Sequence, residues 1–256
     1  MQKSFLTLAV LAFIAFFSAS SSHAVLIAHY TFDNFTLADT SGFSTSYDLS
    51  AVGGTPDLSK QAYFSDGLSA NYLQVSGPGG MPDWTLSLWV NTAVLDQGTF
   101  KALFSNNTSS TADFSWQIDS HNGSYRFVSR TTTDNPVLTI GAPTLDVWQN
   151  IVVQKFNASN VRLYFNGDLV NTAAFNPGGL QNFRLGINRN SNQSFLGYLD
   201  NIQIWNDSQQ NAADIFRAGA GINGVGASVD PIPEPSTLIL LGGGLVAVAA
   251  FRRRKN

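Results

Sequence analysis

No cysteine occurs in this 256-residue sequence. Disulfide staples, thiolate nucleophiles, cysteine-ligated zinc and iron–sulfur clusters are therefore excluded. Stability must come from buried core area, which a body of roughly 200 residues can supply without staples. Glutamate is almost as scarce, because Glu234 is the only one and every other acidic side chain is an aspartate. Charged residues make up 12% of the chain, too few for long surface helices laced with Glu/Lys pairs. No G-x-S-x-G, H-E-x-x-H or P-loop pattern occurs, which removes the corresponding hydrolase, zinc-protease and nucleotide-binding signatures. Long apolar runs are confined to the two ends. Between them lie short aromatic and β-branched runs separated by Gly, Asn, Asp and Ser, the composition of an all-β body with many polar turns.

The start, MQKSFLTLAVLAFIAFFSASSSHAVL, has Lys3, an apolar stretch from Phe5 to Phe17 and a small-residue segment closing with Ser22-His23-Ala24. This is the layout of a secretory signal peptide over residues 1–24. Near the other end, Thr237 to Phe251 is fifteen residues without a charge. As a helix rising ~1.5 Å per residue it reaches about 22 Å, short of the ~30 Å hydrocarbon core. Such a segment suits a temporary tether. Arg252, Arg253, Arg254 and Lys255 hold the flank beyond it on the cytoplasmic side, so the body lies outside. Pro233 and Pro235 keep Glu234 extended above the membrane surface, and residues 220–232 read as a small-residue linker.

Pro-Glu-Pro, a short Gly-containing hydrophobic segment and a terminal Arg cluster behind a signal peptide resemble the PEP-CTERM sorting signal of Gram-negative bacteria, here residues 233–256. The resemblance implies exosortase as the processing partner, transient anchoring in the inner membrane, and release to the cell surface or into an extracellular matrix of polysaccharide and biofilm. With both ends removed, 16 aspartates stand against nine lysines and arginines, a net charge near −7. A nucleic-acid partner held by a basic face is not expected.

From Val25 the spacing predicts twelve strands: 25–32, 61–64, 72–76, 84–91, 100–105, 114–119, 125–130, 148–156, 161–165, 169–173, 183–187 and 195–205. Asn166-Gly167 in NVRLYFNGDLVNT predicts a two-residue type I′ hairpin. FLGYLDNIQIW places Leu196, Tyr198, Asp200, Ile202 and Ile204 on one side with Leu199 and Trp205 out of register, so Asp200 interrupts an apolar face and asks for a partner. SQQNAADIFRAG predicts one helix capped by Asp207 or Ser208 and ended by Gly219. Trp84, Trp89, Trp148 and Trp205 fall in strand patterns and read as core, with Trp116 less clearly so.

Seven stretches in order, LIAHYTFDN with ADTSG, FSDGLSANYLQV, WTLSLWV, WQNIVVQKF, VRLYFNGDLV, FRLGIN and FLGYLDNIQIWN, resemble a laminin-G-like domain of the concanavalin A-like lectin/glucanase superfamily over residues 25–219. The resemblance implies an all-β jelly roll of two antiparallel sheets. The superfamily's glucanases carry a Glu-x-Asp-x-(x)-Glu cluster on one strand; a chain whose single Glu lies in its tail lacks it, and the domain is expected not to be an enzyme. An aspartate-based hydrolase or lyase and a purely structural matrix protein are the alternatives.

Calcium is the expected cofactor, since hard cations take carboxylate, amide and carbonyl oxygens. Asp33 on the first strand and Asp200 on the last lie on neighbouring strands in the laminin-G-like pattern, and Asp39 in ADTSG supplies a third carboxylate. For sugar, the polar loops 105–113, 119–126 and 188–194 offer Asn106, Asn107, His121, Asn122, Tyr125, Arg189 and Asn192, a mixture of hydroxyl-bonding groups and an aromatic face. The same loops also read as solvated hairpin turns. The function expected from the sequence is binding, with polysaccharide or a matrix protein as the partner.

Overall fold

A computed structural model describes residues 24–106, 109–208 and 210–220. The signal peptide, most of the linker, the sorting segment and Asn107 lie outside the described residues. Fourteen strands form two seven-stranded antiparallel sheets. The first runs in the order β1 (Leu26–Tyr30), β14 (Leu196–Trp205), β5 (Trp84–Thr92), β10 (Trp148–Phe156), β11 (Asn160–Phe165), β12 (Asp168–Ala173), with β3 (Tyr63–Asp66) also paired to β14. The second runs β2 (Ser50–Val52), β4 (Tyr72–Gln74), β13 (Arg184–Leu185), β6 (Lys101–Ser105), β7 (Trp116–Ser120), β8 (Tyr125–Ser129), β9 (Val137–Gly141).

All twelve expected runs carry a strand. The two additions, β2 and β9, are the edge strands of the second sheet, short and mostly exposed. Asn166 (φ 50°) and Gly167 (φ 87°) make the expected turn between β11 and β12.

The two inner faces meet in one core. Trp116 sits at its centre, stacked on Trp84 (5.2 Å between centroids) and Phe104 (5.4 Å) and tilted against Phe127 (5.3 Å). Its indole Nε1 donates to the Gly179 carbonyl at 3.0 Å. Trp89 and Trp205 lie elsewhere, on the outer face of the first sheet beneath the helix α1 (Ala212–Ala220). Phe216 stacks on Trp89 at 5.7 Å, and any side chain at Gly219 would overlap the same indole.

Two sequence expectations are corrected. Helix α1 is capped by Asn211, whose Oδ1 accepts from the Ala213 and Asp214 N–H groups. Asp207 and Ser208 instead tie the approach to the sheet, as Thr85 Oγ1 donates to the Asp207 carbonyl and Ser208 Oγ to Asp83. The second correction concerns β14. Between Asp200 and Gln203 its register against β5 slips, so that Asn201 and Ile202 together oppose Leu88. Asn201 has φ 42°, the conformation an inserted residue needs here. The bulge puts Leu199, Ile202 and Ile204 into the core and turns Asp200 away from it. Asp200 therefore does not interrupt the inner face.

Candidate functional site

Three places gather the chemistry. The first is the bulge. Asp200 is 3% exposed and burial, aided by repulsion from Asp33, pushes its carboxyl up to about 8, although the Asn201 N–H that donates to Oδ1 favours the charged form. On the adjacent strand β1, His29 Nε2 lies 2.7 Å from Asn201 Oδ1, and burial pulls the imidazole below its ordinary value. Asp33 occupies an exposed turn, Asp33–Phe35, right after β1.

The expected third metal ligand does different work. Asp39 Oδ1 accepts from the His29 and Ser41 N–H groups and Oδ2 from Tyr47, which staples the 36–48 loop to β1. Among the described residues no group of three metal-ligating acidic or histidine side chains forms. Asp33 lies near enough to Asp200 to repel its carboxylate, while Asp39 faces backbone donors.

The second place is where loops 105–113 and 188–194 meet, joined by the Ser110 N–H donating to Asn190 Oδ1 at 3.1 Å. Two of the residues expected to bind ligand are structural here. Asn106 is buried, donating to the Gly179 and Phe114 carbonyls and accepting from the Trp116 N–H, which fixes the start of β7. Arg189 is buried along Ser115 and Gln117, where desolvation draws its guanidinium down to about 10. Asn192 is exposed and holds Asn188.

The third place lies at the opposite end of β7, five residues or ~17 Å away. The three polar loops therefore do not converge. Tyr125 belongs to the core, against Phe165, and burial raises its phenol. His121 and Asn122 reach the surface beside Phe100, a residue that the sequence alone assigned to a strand.

Phe100 is 42% exposed and held at φ 57°, strained for a bulky side chain. Its N–H donates to His121 Nδ1 at 3.2 Å, and the imidazole stands edge-on to the ring at 4.7 Å. Burial and the nearby Arg126 lower the His121 pKa, favouring the neutral ring that this hydrogen bond requires. The Arg126 guanidinium lies 5.4 Å from the Phe100 centroid. It is fixed in turn by a two-pronged pairing with buried Asp119, at 3.0 Å on both arms, and Gln117 donates to the same carboxylate.

The loop carrying Phe100 is clamped as well. Gln97 donates to the Leu196 carbonyl and accepts from its N–H, while the Asn122 N–H donates to the Gly98 carbonyl at 2.7 Å. Val94 and Leu95 are exposed on the same loop. The result is a fixed aromatic face rimmed by imidazole, guanidinium and amide groups. Such a face can stack on the C–H surface of a sugar ring while the rim bonds its hydroxyls.

Residues 66–215 match the Laminin_G_3 family of the concanavalin A-like lectin/glucanases superfamily. The chain belongs to that superfamily. Its two antiparallel sheets have the superfamily's jelly-roll form, and residues 231–255 match the PEP-CTERM protein-sorting motif, which implies export with membrane-associated sorting and exosortase processing. Solved structures with this fold include domain 4 of AbnA, a GH43 extracellular arabinanase from Geobacillus stearothermophilus, in complex with arabinotriose. It is 19% identical with TM-score 0.60, over 75% of this chain and 97% of that one. The binding domain of botulinum neurotoxin DC in complex with SialylT is 12% identical with TM-score 0.58, over 75% of this chain and 50% of that one. A botulinum neurotoxin type C structure, described as dependent for cell entry on two ganglioside molecules, is 12% identical with TM-score 0.56, again over 75% and 50%. The chain spans about half the length of these neurotoxin structures. A comparison with curated proteins returned no match.

Proposed function

We propose that this superfamily member is an exported, non-enzymatic module that binds polysaccharide at the cell surface or in an extracellular, biofilm-type matrix after exosortase has processed its tail. The observation that carries the reading is Phe100, an exposed ring kept in a costly backbone conformation by His121, Asn122 and Gln97. Solvent-exposed strain of this kind points to a ligand-facing role. The carbohydrate complexes among proteins of the same fold support the same class of ligand. A glycosidase needs two carboxyl groups flanking a scissile bond; at this end Asp119 is buried and committed to Arg126.

Replacing Phe100 by Ala is expected to weaken binding to a neutral polysaccharide by about 2 kcal/mol or more, the loss of an aromatic anchor, roughly thirtyfold in Kd. The melting temperature should stay nearly constant because the ring is half-exposed. Isothermal titration across a panel of soluble glycans reads the first and calorimetry the second. Unchanged affinity with Phe100→Ala would refute the platform, and hydrolysis of any glycan by the wild type would refute the non-enzymatic reading.

Calcium at Asp33 and Asp200 is part of the same proposal. Two carboxyl groups on neighbouring segments fit a hard cation, which would displace the Asp200 proton, offset the burial of its carboxylate and supply a structural tie between the two ends of the domain. Calcium at a hundred times its Kd would stabilise the fold by ~2.7 kcal/mol, an increase of about 5–11 °C in Tm for a domain of this size. Equal melting temperatures in chelator and in millimolar calcium would remove the metal from the proposal.

A further inference from the structure

We infer that His121 makes the Phe100 platform sensitive to pH, so that glycan is held while the imidazole is neutral and released when it takes up a proton. The inference rests on the glycan-binding reading above and adds regulation to the same site.

The hydrogen bond between the two residues has a direction. The Phe100 main-chain N–H donates to His121 Nδ1 at 3.2 Å, so Nδ1 keeps its lone pair and the proton of the neutral ring sits on Nε2. A protonated imidazole carries an N–H on both nitrogens. Nδ1–H and the Phe100 N–H would then face each other as two donors, and the bond is lost. Phe100 depends on that bond more than most residues would, because its φ of 57° is a conformation that a bulky side chain keeps only while its surroundings impose it. The neighbouring ties act elsewhere. Gln97 and the Asn122 N–H, which donates to the Gly98 carbonyl, clamp the chain two and three residues before Phe100 and leave its own N–H to His121.

The surrounding charges act in the same sense. Arg126 on β8 opposes a second cation at His121, whereas Asp119 on β7 and Asp96 in the 93–100 loop favour one. Both carboxylates are already engaged. Asp119 is paired with Arg126 at 3.0 Å on both arms, and Asp96 accepts from the Gly98 N–H. Lys101, the residue after Phe100, adds one more cation at the start of β6. Burial and Arg126 prevail, and the imidazole pKa lies below its ordinary value. Of the side-chain types gathered here only histidine ordinarily changes charge between pH 5 and 8. The sign follows directly: binding is intact above the folded pKa of His121 and is lost as pH falls through it, because apparent affinity scales with the fraction of molecules whose platform is intact.

The test titrates the purified protein with laminarin, a neutral β-glucan that has no group of its own to protonate. Wild type is expected to bind roughly three- to tenfold more weakly at pH 5 than at pH 7.5. His121→Asn places an amide oxygen where Nδ1 stood, an acceptor that takes up no proton in this range, so its affinity, whatever the level, should be the same at both pH values. His29 remains in that variant, which assigns the difference to position 121. NMR of the ligand-free protein reads the switch directly. The Phe100 amide proton should move upfield on acidification, as a hydrogen bond is lost, with the same midpoint as the His121 ring and below pH 6.5. Wild-type binding indifferent to pH, equal losses in wild type and His121→Asn, or a Phe100 amide that ignores the His121 titration would each overturn the switch. Absence of laminarin binding at every pH counts against the polysaccharide reading instead, and the NMR titration then decides the switch alone.

Discussion

In calcium-free buffer the protein should lose stability as the pH is raised from 7 to 8, and Asp200→Asn should abolish the loss. Asp200 has a folded-state pKa of about 8 against an ordinary 3.8. Between those values the native state holds a proton that the unfolded chain has released, so stability is greatest at the acid end and falls as pH rises toward the folded value. The slope approaches about 1.4 kcal/mol per pH unit and levels off near the folded pKa, a cost of several kcal/mol over the whole interval. His29 works in the opposite sense below its ordinary value of 6.5, because its lowered pKa makes the unfolded chain the better proton acceptor there. Above pH 7 the histidine is neutral in both states, which isolates the aspartate. Asparagine keeps the Oδ1 that receives the Asn201 N–H, so the bulge survives while the charge does not. Chemical denaturation at pH 7 and 8 measures the effect. An identical slope in wild type and Asp200→Asn would mean the carboxyl is ionised in the folded protein without penalty. Saturating calcium at pH 8 should raise the stability of the wild type and leave Asp200→Asn unchanged.

Trp116→Ala should be among the most damaging single substitutions in the body. Truncating a buried Trp costs about 3–5 kcal/mol, or roughly 6–20 °C of Tm at this domain size. Trp116 belongs at the upper end of that range because three aromatic neighbours, Trp84, Phe104 and Phe127, lie within 5.2 to 5.4 Å of its ring and none can follow it into the void. The Gly179 carbonyl would still receive the Asn106 amide, so the loss is one of packing rather than of an orphaned acceptor. Trp116→Phe should recover about half of the loss. A Tm change of less than 3 °C with Trp116→Ala, well under the range expected for the packing energy quoted, would show that the two sheets are held together elsewhere. The contrast with Phe100→Ala separates the two aromatic roles: one ring holds the sheets together, and the other faces outward.

Much of the fold is legible in residue order. Every run of alternating aromatic and β-branched residues became a strand, and Asn166-Gly167 made its turn, because these are local matters of pleat and φ preference. The candidate site is far less legible. Asn106 and Arg189 are the residue types that bind sugars, but a buried carbonyl and a buried amide needed them first. Phe100 looked like any strand-forming aromatic, and nothing in its neighbours along the chain shows a left-handed backbone. Asp39 had the right letter in the right motif and is consumed by three N–H donors.

The amino-acid sequence by itself determined the C-terminal sorting motif, the family and its two-sheet form, and the absence of a glutamate pair on the domain, since these depend on composition, local period and motif order. Only the tertiary structure decided which way each polar side chain points. A single inserted residue at Asn201 puts Ile202 and Ile204 on the opposite face from Asp200, and the two ends of β7 separate loops that share one composition. Side-chain facing in a sheet alternates with a period of two, so one bulge inverts everything after it, and that slip is set by pairing with strands more than a hundred residues away.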